Sequence, residues 1–220
     1  MRTLALLIAV ASSFAAELSI TGSSTVYPVV AEIAKDYSAA KVTVGQGGSS
    51  DGIKKVTAGT ITIAMSSRAL TDKEIADGLV PTIIGTDGIV FVVNKTNPVT
   101  SLTAEQAAKI LTGTIVNWSE VGGQAAPIVL VSPHEAHGTT DGMAHYLKLD
   151  YKGDAAAKIV SYAPKGGAYG TATAIRTATH QETAAKVATN PNAIGFIPVG
   201  SAEAFTAKAI PIANAVSFGP

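Results

Sequence analysis

Along this chain, short apolar runs with period two alternate with stretches whose apolar positions recur every three or four residues, and the switches fall at Gly/Ser/Thr clusters. Leu18-Ser19-Ile20 predicts a strand. Over 27–38, Val29, Val30, Ile33, Ala34 and Tyr37 share one helical face, and Pro28 sits in the first turn, where a missing N–H costs nothing. Strands follow at 41–45 and 61–66, with a short helix over 51–58 between them. Thr71 and Glu74 have the spacing of a capping box and open a helix over 71–77. Two apolar runs, 80–84 and 89–93, read as strands joined by Gly-Thr-Asp-Gly. A helix over 103–111, a buried strand at 128–131 and a helix over 140–149 come next. The Ala-rich segment 153–190 reads as mostly helical with a break at 164–170, and 193–198 returns to strand. This alternation predicts an α/β fold with a largely parallel sheet.

Composition narrows the function classes. With 16 basic and 16 acidic residues and no long run of either sign, bulk electrostatic binding to nucleic acid or an anionic membrane is not expected. Aromatics are only 5% of the chain, too few for a base-stacking surface. Arg2, the apolar run 4–10 and the small residues at 13–16 read as a signal peptide over 1–16, which predicts a periplasmic or secreted protein. There is no cysteine, so disulfides, thiolate metal sites and a lipid-modified Cys are not expected.

The candidate chemistry lies in three strand–turn–helix corners: ITGSSTVYP (20–28), GQGGSSDGI (45–53) and EAHGTTDGM (135–143). Each puts hydroxyls and the unpartnered first amides of a helix at one point, an arrangement suited to an anion. The first corner offers the Ser24 and Thr25 hydroxyls and the Thr25 and Val26 amides, which plain helix capping would also explain. Ser66-Ser67-Arg68 ends a strand; the guanidinium could grip an oxyanion or pair with Asp72 or Glu74. His134, Glu135, His137 and His145 could hold a metal such as zinc, but their spacing is not that of a metalloprotease helix, and no metal site is assigned. No Gly-x-Ser-x-Gly elbow, paired carboxylates or Gly-x-x-x-x-Gly-Lys-Ser/Thr loop occurs, so an enzyme is not expected and no cofactor is called for.

Five stretches carry a resemblance: ITGSSTVYP (20–28), GQGGSSDGIKKVTAGTITIAMSSRAL (45–70), DGIVFVVNKTNP (87–98), ILTGTIVNWSEVGG (110–123) and NPNAIGFIPVG (190–200). In that order they resemble the periplasmic phosphate-binding proteins of ABC importers, the PstS-type members of the type II periplasmic-binding fold. The resemblance implies two lobes with mostly parallel sheets around a hinge and a central cleft. Lobe I would be 17–86 plus 193–220 and lobe II 87–192. It also implies capture of inorganic phosphate or a related tetrahedral oxyanion by a monomer that delivers it to a membrane ABC permease. The ligand set it implies is Ser24, Thr25, Val26, Ser49, Ser67, Arg68, His137, Gly138, Thr139 and Thr140.

Three departures stand out. Some relatives place at Ser67 an Asp that accepts a proton from the ligand. Relatives usually show an Arg, an acidic residue and Ser-Gly-Thr in the third corner, where this chain has His134 to Thr140 with no Arg and with His137 in the Ser position. His137 could donate one N–H, or carry a charge at low pH and strengthen binding there. Relatives also usually continue past 209–212 with elements that finish lobe I, so an exposed apolar edge is expected there. The alternative reading is an envelope module of the same fold that senses, scavenges, or binds a metal or oxyanion without transport.

Overall fold

The computed structural model describes residues 17–202 and 207–212; the expected signal peptide and the last eight residues lie outside them. Two sheets organise the chain. The first has three parallel strands, β1 (Glu17–Gly22), β2 (Lys41–Gln46) and β3 (Ile63–Met65), in the order β2-β1-β3. Helices α1 (Tyr27–Asp36) and α2 (Ser49–Thr57) link them, and α3 (Asp72–Ala76) follows. Gly22, at φ +146°, ends β1 hard against β3: a Cβ there would lie 2.1 Å from the Met65 carbonyl oxygen. That close approach fixes where the first corner begins.

The second sheet has seven strands in the order β10-β4-β9-β5-β8-β7-β6. They are β4 (Ile89–Val93), β5 (Val129–Pro133), β6 (Leu149–Asp154), β7 (Ile159–Pro164), β8 (Ala174–Thr177), β9 (Ala193–Pro198) and β10 (Lys208–Ile210), with α4 (Ala104–Leu111), α5 (Gly138–Tyr146), α6 (His180–Thr189) and α7 (Val199–Ala202) between or beside them. The two-lobed α/β arrangement is present. The small sheet is wholly parallel; the large one is parallel only where β5 meets β8 and β9, and antiparallel elsewhere.

The large sheet holds the core. Phe91 and Phe196 face each other across the β4–β9 pair with rings edge-on at 6.0 Å. Leu102, Ile110, Trp118, Tyr162 and Ile194 pack around them, all at most 2% exposed. Trp118 lies in a 3₁₀ turn (Trp118–Val121) capped by Asn117 and donates its indole N–H to the Asn192 carbonyl at 2.9 Å.

Three expectations are corrected. Residues 80–84 form no strand; Pro81 removes a ladder donor, and Val80 and Ile83 stand 88% and 73% exposed. The segment 153–190 is helical only over α6; before it come the end of β6, β7 and β8, with β6 and β7 forming a hairpin turned where Asp154 accepts the Ala157 N–H and Lys158 takes φ +56°. Alanine's helix propensity gives way there to cross-strand pairing. Residues 193–198 and 208–210, expected with 17–86, hydrogen-bond to β4 inside the large sheet. The helix over 27–36 forms where its periodicity places it, with its apolar face open: Val29, Ile33 and Tyr37 are 54%, 60% and 47% exposed, and α1 has no buried residue.

Candidate functional site

The three corners meet. The first, after β1, begins with Ser23, whose Oγ accepts the Thr25 and Val26 amides at 3.1 and 3.4 Å. Ser23 therefore holds the turn that leads into α1, whose N-cap Val26 has no side-chain cap, and the two amides read from the sequence as anion donors are taken. The Ser24 hydroxyl is released to reach across the cleft. In the second corner Ser49, fully buried, accepts the Ser67 amide at 3.0 Å and lies 3.3 Å from the Ser67 hydroxyl. The third corner presses against this pair: a Cβ on Gly138 would fall 2.5 Å from Ser67 Oγ and 2.7 Å from Ser49 Oγ. The Ser50 amide also donates to the Ala136 carbonyl at 3.2 Å, tying α2 to the loop before α5.

A fourth corner completes the set. Between β8 and α6, Thr177-Ala178-Thr179-His180 repeats the strand–hydroxyl–helix pattern, with Thr179 capping Glu182. His180, 2% exposed, sits where this corner faces the first. Sequence reasoning passed over it; the only available signal was the hydroxyl cluster at that helix start.

The polar groups form one directed chain. His137 Nε2 lies 3.0 Å from the Ala178 carbonyl, which can only accept, so Nε2 carries the proton. His137 Nδ1 is then an acceptor, filled by the Ser24 hydroxyl at 2.8 Å. With its proton spent, Ser24 Oγ accepts from His180 Nδ1–H at 3.2 Å. His180 Nε2 in turn accepts the Thr139 hydroxyl at 3.0 Å, and Thr139 Oγ1 accepts from Thr25 at 3.3 Å. Neutral imidazoles suit this chain. Burial, together with the neighbouring histidines, pulls His137 down to about 4 and His180 down to about 3. Stronger binding through a charged His137 is therefore confined to strongly acid conditions, and its one N–H is committed to Ala178.

These lowered values make stability pH-dependent. Both histidines take up protons at about pH 6.5 when unfolded but only near pH 4 and 3 when folded, so the unfolded state binds more protons in that window. Stability is expected to be full above pH 6.5 and to fall below it by roughly 1.4 kcal/mol per pH unit for each histidine. Denaturant melts from pH 7.5 down to 4.5 measure this, and His180→Asn should shallow the slope.

Other expected site residues frame the corners. Thr140 gives its hydroxyl to the Pro133 and His134 carbonyls at 3.0 and 3.1 Å, closing the end of β5. Arg68 is bound bidentately by Glu74, at 2.8 and 3.0 Å, and reaches Ser50 Oγ at 3.4 Å. The guanidinium holds the Glu74 carboxyl down at about 2. Of the two readings of Arg68, pairing with Glu74 is the one observed. Glu135 is likewise taken bidentately by Arg176, at 2.8 and 3.0 Å. His134 accepts the Ala136 amide and stacks edge-on against His137 with centroids 4.0 Å apart. Among the described residues no group of three or more ligating side chains is arranged to hold a metal. No helix among them is long and apolar enough to cross a membrane.

Known proteins resemble this chain over most of its length. Residues 9–216 match the description of the PBP superfamily domain. A phosphate-binding protein PstS of Borreliella burgdorferi is 36% identical over 134 residues, 59% of this chain and 48% of that protein, so the match spans about half the relative's length. A Clostridium perfringens structure, described as a phosphate ABC transporter substrate-binding protein with bound phosphate, superposes with TM-score 0.76 and 32% identity, covering 89% of this chain and 75% of the other. An ABC-type phosphate transport receptor from Vibrio cholerae superposes with TM-score 0.66 and 29% identity, covering 90% and 78%.

Proposed function

The chain belongs to the PBP superfamily and has the two-lobed α/β type II binding-protein fold; from that premise we propose that it captures phosphate or a similar tetrahedral oxyanion between its two sheets. The observation that carries this reading is the meeting of four strand–helix corners whose hydroxyls and imidazoles bond one another at 2.8–3.3 Å. Ser24, Thr25, Ser49, Ser67, Thr139 and His180 would turn toward the anion as it displaces the bonds they make to each other. The N-termini of α2, α5 and α6 add partial positive charge without a side-chain cation. Val26, Arg68 and Thr140 hold the corners in place, and Gly138 admits their close approach.

Capture would require no chemistry at the ligand, in keeping with relatives named as binding proteins or receptors. We place the protein outside the cytoplasm, on the leader-like pattern of residues 1–16, where a single chain would hand its ligand to an ABC permease.

A thermal-shift screen tests the reading. Phosphate at a hundred times its Kd should add about 2.7 kcal/mol of stability. Thr139→Val, which keeps the shape and removes the hydroxyl, should weaken phosphate about tenfold by titration calorimetry. No shift with phosphate, or a Thr139→Val chain that binds as the wild type does, would defeat the assignment.

A further inference from the structure

The large half carries an open cavity of about 370 Å³ that none of the corner hydroxyls lines. One wall is the side of α5 that bears Asp141 and Ala144. Another is Asp150 and Tyr151 of β6, and Lys165 and Tyr169 enter from the segment after β7. Lys148, at φ +56°, turns the chain sharply from α5 into β6, so that helix and strand stand side by side. The Lys165 N–H donates to the Lys148 carbonyl at 3.0 Å, which brings the segment after β7 back against that turn.

Three charges line the cavity: Asp141, Asp150 and Lys165. Among the described residues none of the three is in an ion pair. Both carboxylates are nonetheless held in place. Asp150 Oδ2 accepts the Gly166 N–H at 2.7 Å, and Asp141 Oδ1 accepts the Tyr151 hydroxyl at 3.3 Å, which leaves one oxygen of each for another donor. Arg68, whose guanidinium feels the Asp141 charge, is already taken at two points by Glu74. The Tyr169 ring is itself anchored, with Lys152 Nζ 4.3 Å from its centroid.

We propose that this cavity is a second binding site, separate from the oxyanion cleft, for a small zwitterionic amino acid. The ligand's ammonium bridges the free oxygens of Asp141 and Asp150, and its carboxylate meets Lys165. Each of these contacts is a charge-assisted hydrogen bond, and carboxylates fixed before the ligand arrives lose little freedom on binding. The mixture of signs selects this chemistry. A simple anion would face two carboxylates, and a simple amine would leave the Lys165 ammonium beside its own charge. A metal ion is disfavoured because, among the described residues, no three ligating side chains gather to hold one. Ala144 and the two tyrosine rings give the amino acid's side chain a partly apolar seat.

Thermal-shift measurements on the purified chain with single L-amino acids, followed by titration calorimetry for each that raises the midpoint, test this. At least one should bind. Its methyl ester, which lacks the negative end, and its N-acetyl derivative, which lacks the positive end, should each bind at least about tenfold more weakly. Asp150→Asn, which keeps an oxygen for the Gly166 N–H, and Lys165→Gln should weaken the same amino acid by a similar factor. The proposal is overturned if no amino acid shifts the midpoint, if a blocked derivative binds as tightly as its parent, or if both variants bind as the wild type does. An amino acid displaced competitively by phosphate would lie in the cleft instead, which also overturns it. Phosphate binding by itself, present or absent, bears only on the oxyanion reading.

Discussion

Gly138→Ala is expected to lower phosphate affinity by up to about a hundredfold, because overpacking costs about 1–3 kcal/mol and here falls on the form with its corners together. Gly138 opens α5 with ordinary helical backbone, so alanine introduces no strain of its own. The added methyl would stand 2.5 Å from Ser67 Oγ, 2.7 Å from Ser49 Oγ and 3.1 Å from the Ser67 carbonyl carbon. Serine hydroxyls can rotate, but the backbone carbon cannot move without shifting the end of β3. The expected result is a folded protein whose two halves stay apart. Calorimetry with phosphate and a denaturant melt of the free chain distinguish this from simple unfolding. Unchanged affinity in a stable Gly138→Ala chain would mean that the ligand binds elsewhere.

The largest stability effect is expected at Trp118→Ala, about 3–5 kcal/mol, the range for emptying a large aromatic from a packed core. Trp118 is 2% exposed, belongs to the main apolar cluster and gives its indole N–H to Asn192. Alanine would leave a cavity and remove one of the two donors to the Asn192 carbonyl, the Val129 N–H remaining. Removing the side chain of Val80, which is 88% exposed, should stay within about 0.5 kcal/mol. Denaturant midpoints of the two variants make the comparison; near-equal values would show that Trp118 does not anchor the fold.

The corners were legible in the sequence because their signals are local. A strand, a hydroxyl pair and a helix start within nine residues specify both the turn and the direction of its side chains, and Thr71 with Glu74 forms the capping box its spacing implies. What depends on distant partners was not legible. Residues 80–84 have the composition of a strand but no neighbour to pair with. The alanines at 155–157 would suit a helix, yet Asp154 and Lys158 turn the chain so that β6 and β7 can pair. The run 193–198 is apolar enough for either lobe; only its pairing with β4 and β5 decides. His180 was missed for a similar reason, since one imidazole at a helix start signals nothing until the fold brings it beside Ser24. Arg68 shows the converse: a conspicuous cation, six residues from the carboxylate that claims it.

The unequal division of the core has a mechanical consequence. Every member of both apolar clusters comes from β4 onward, while among the described residues before it, 17–88, the buried apolar side chains are Ile20, Ile53 and Met65. A carrier must release its cargo as well as hold it. Swinging the thin half away breaks a few polar contacts and exposes little that was dry, so the heavier half can serve as an anchored frame on which a light jaw opens and shuts.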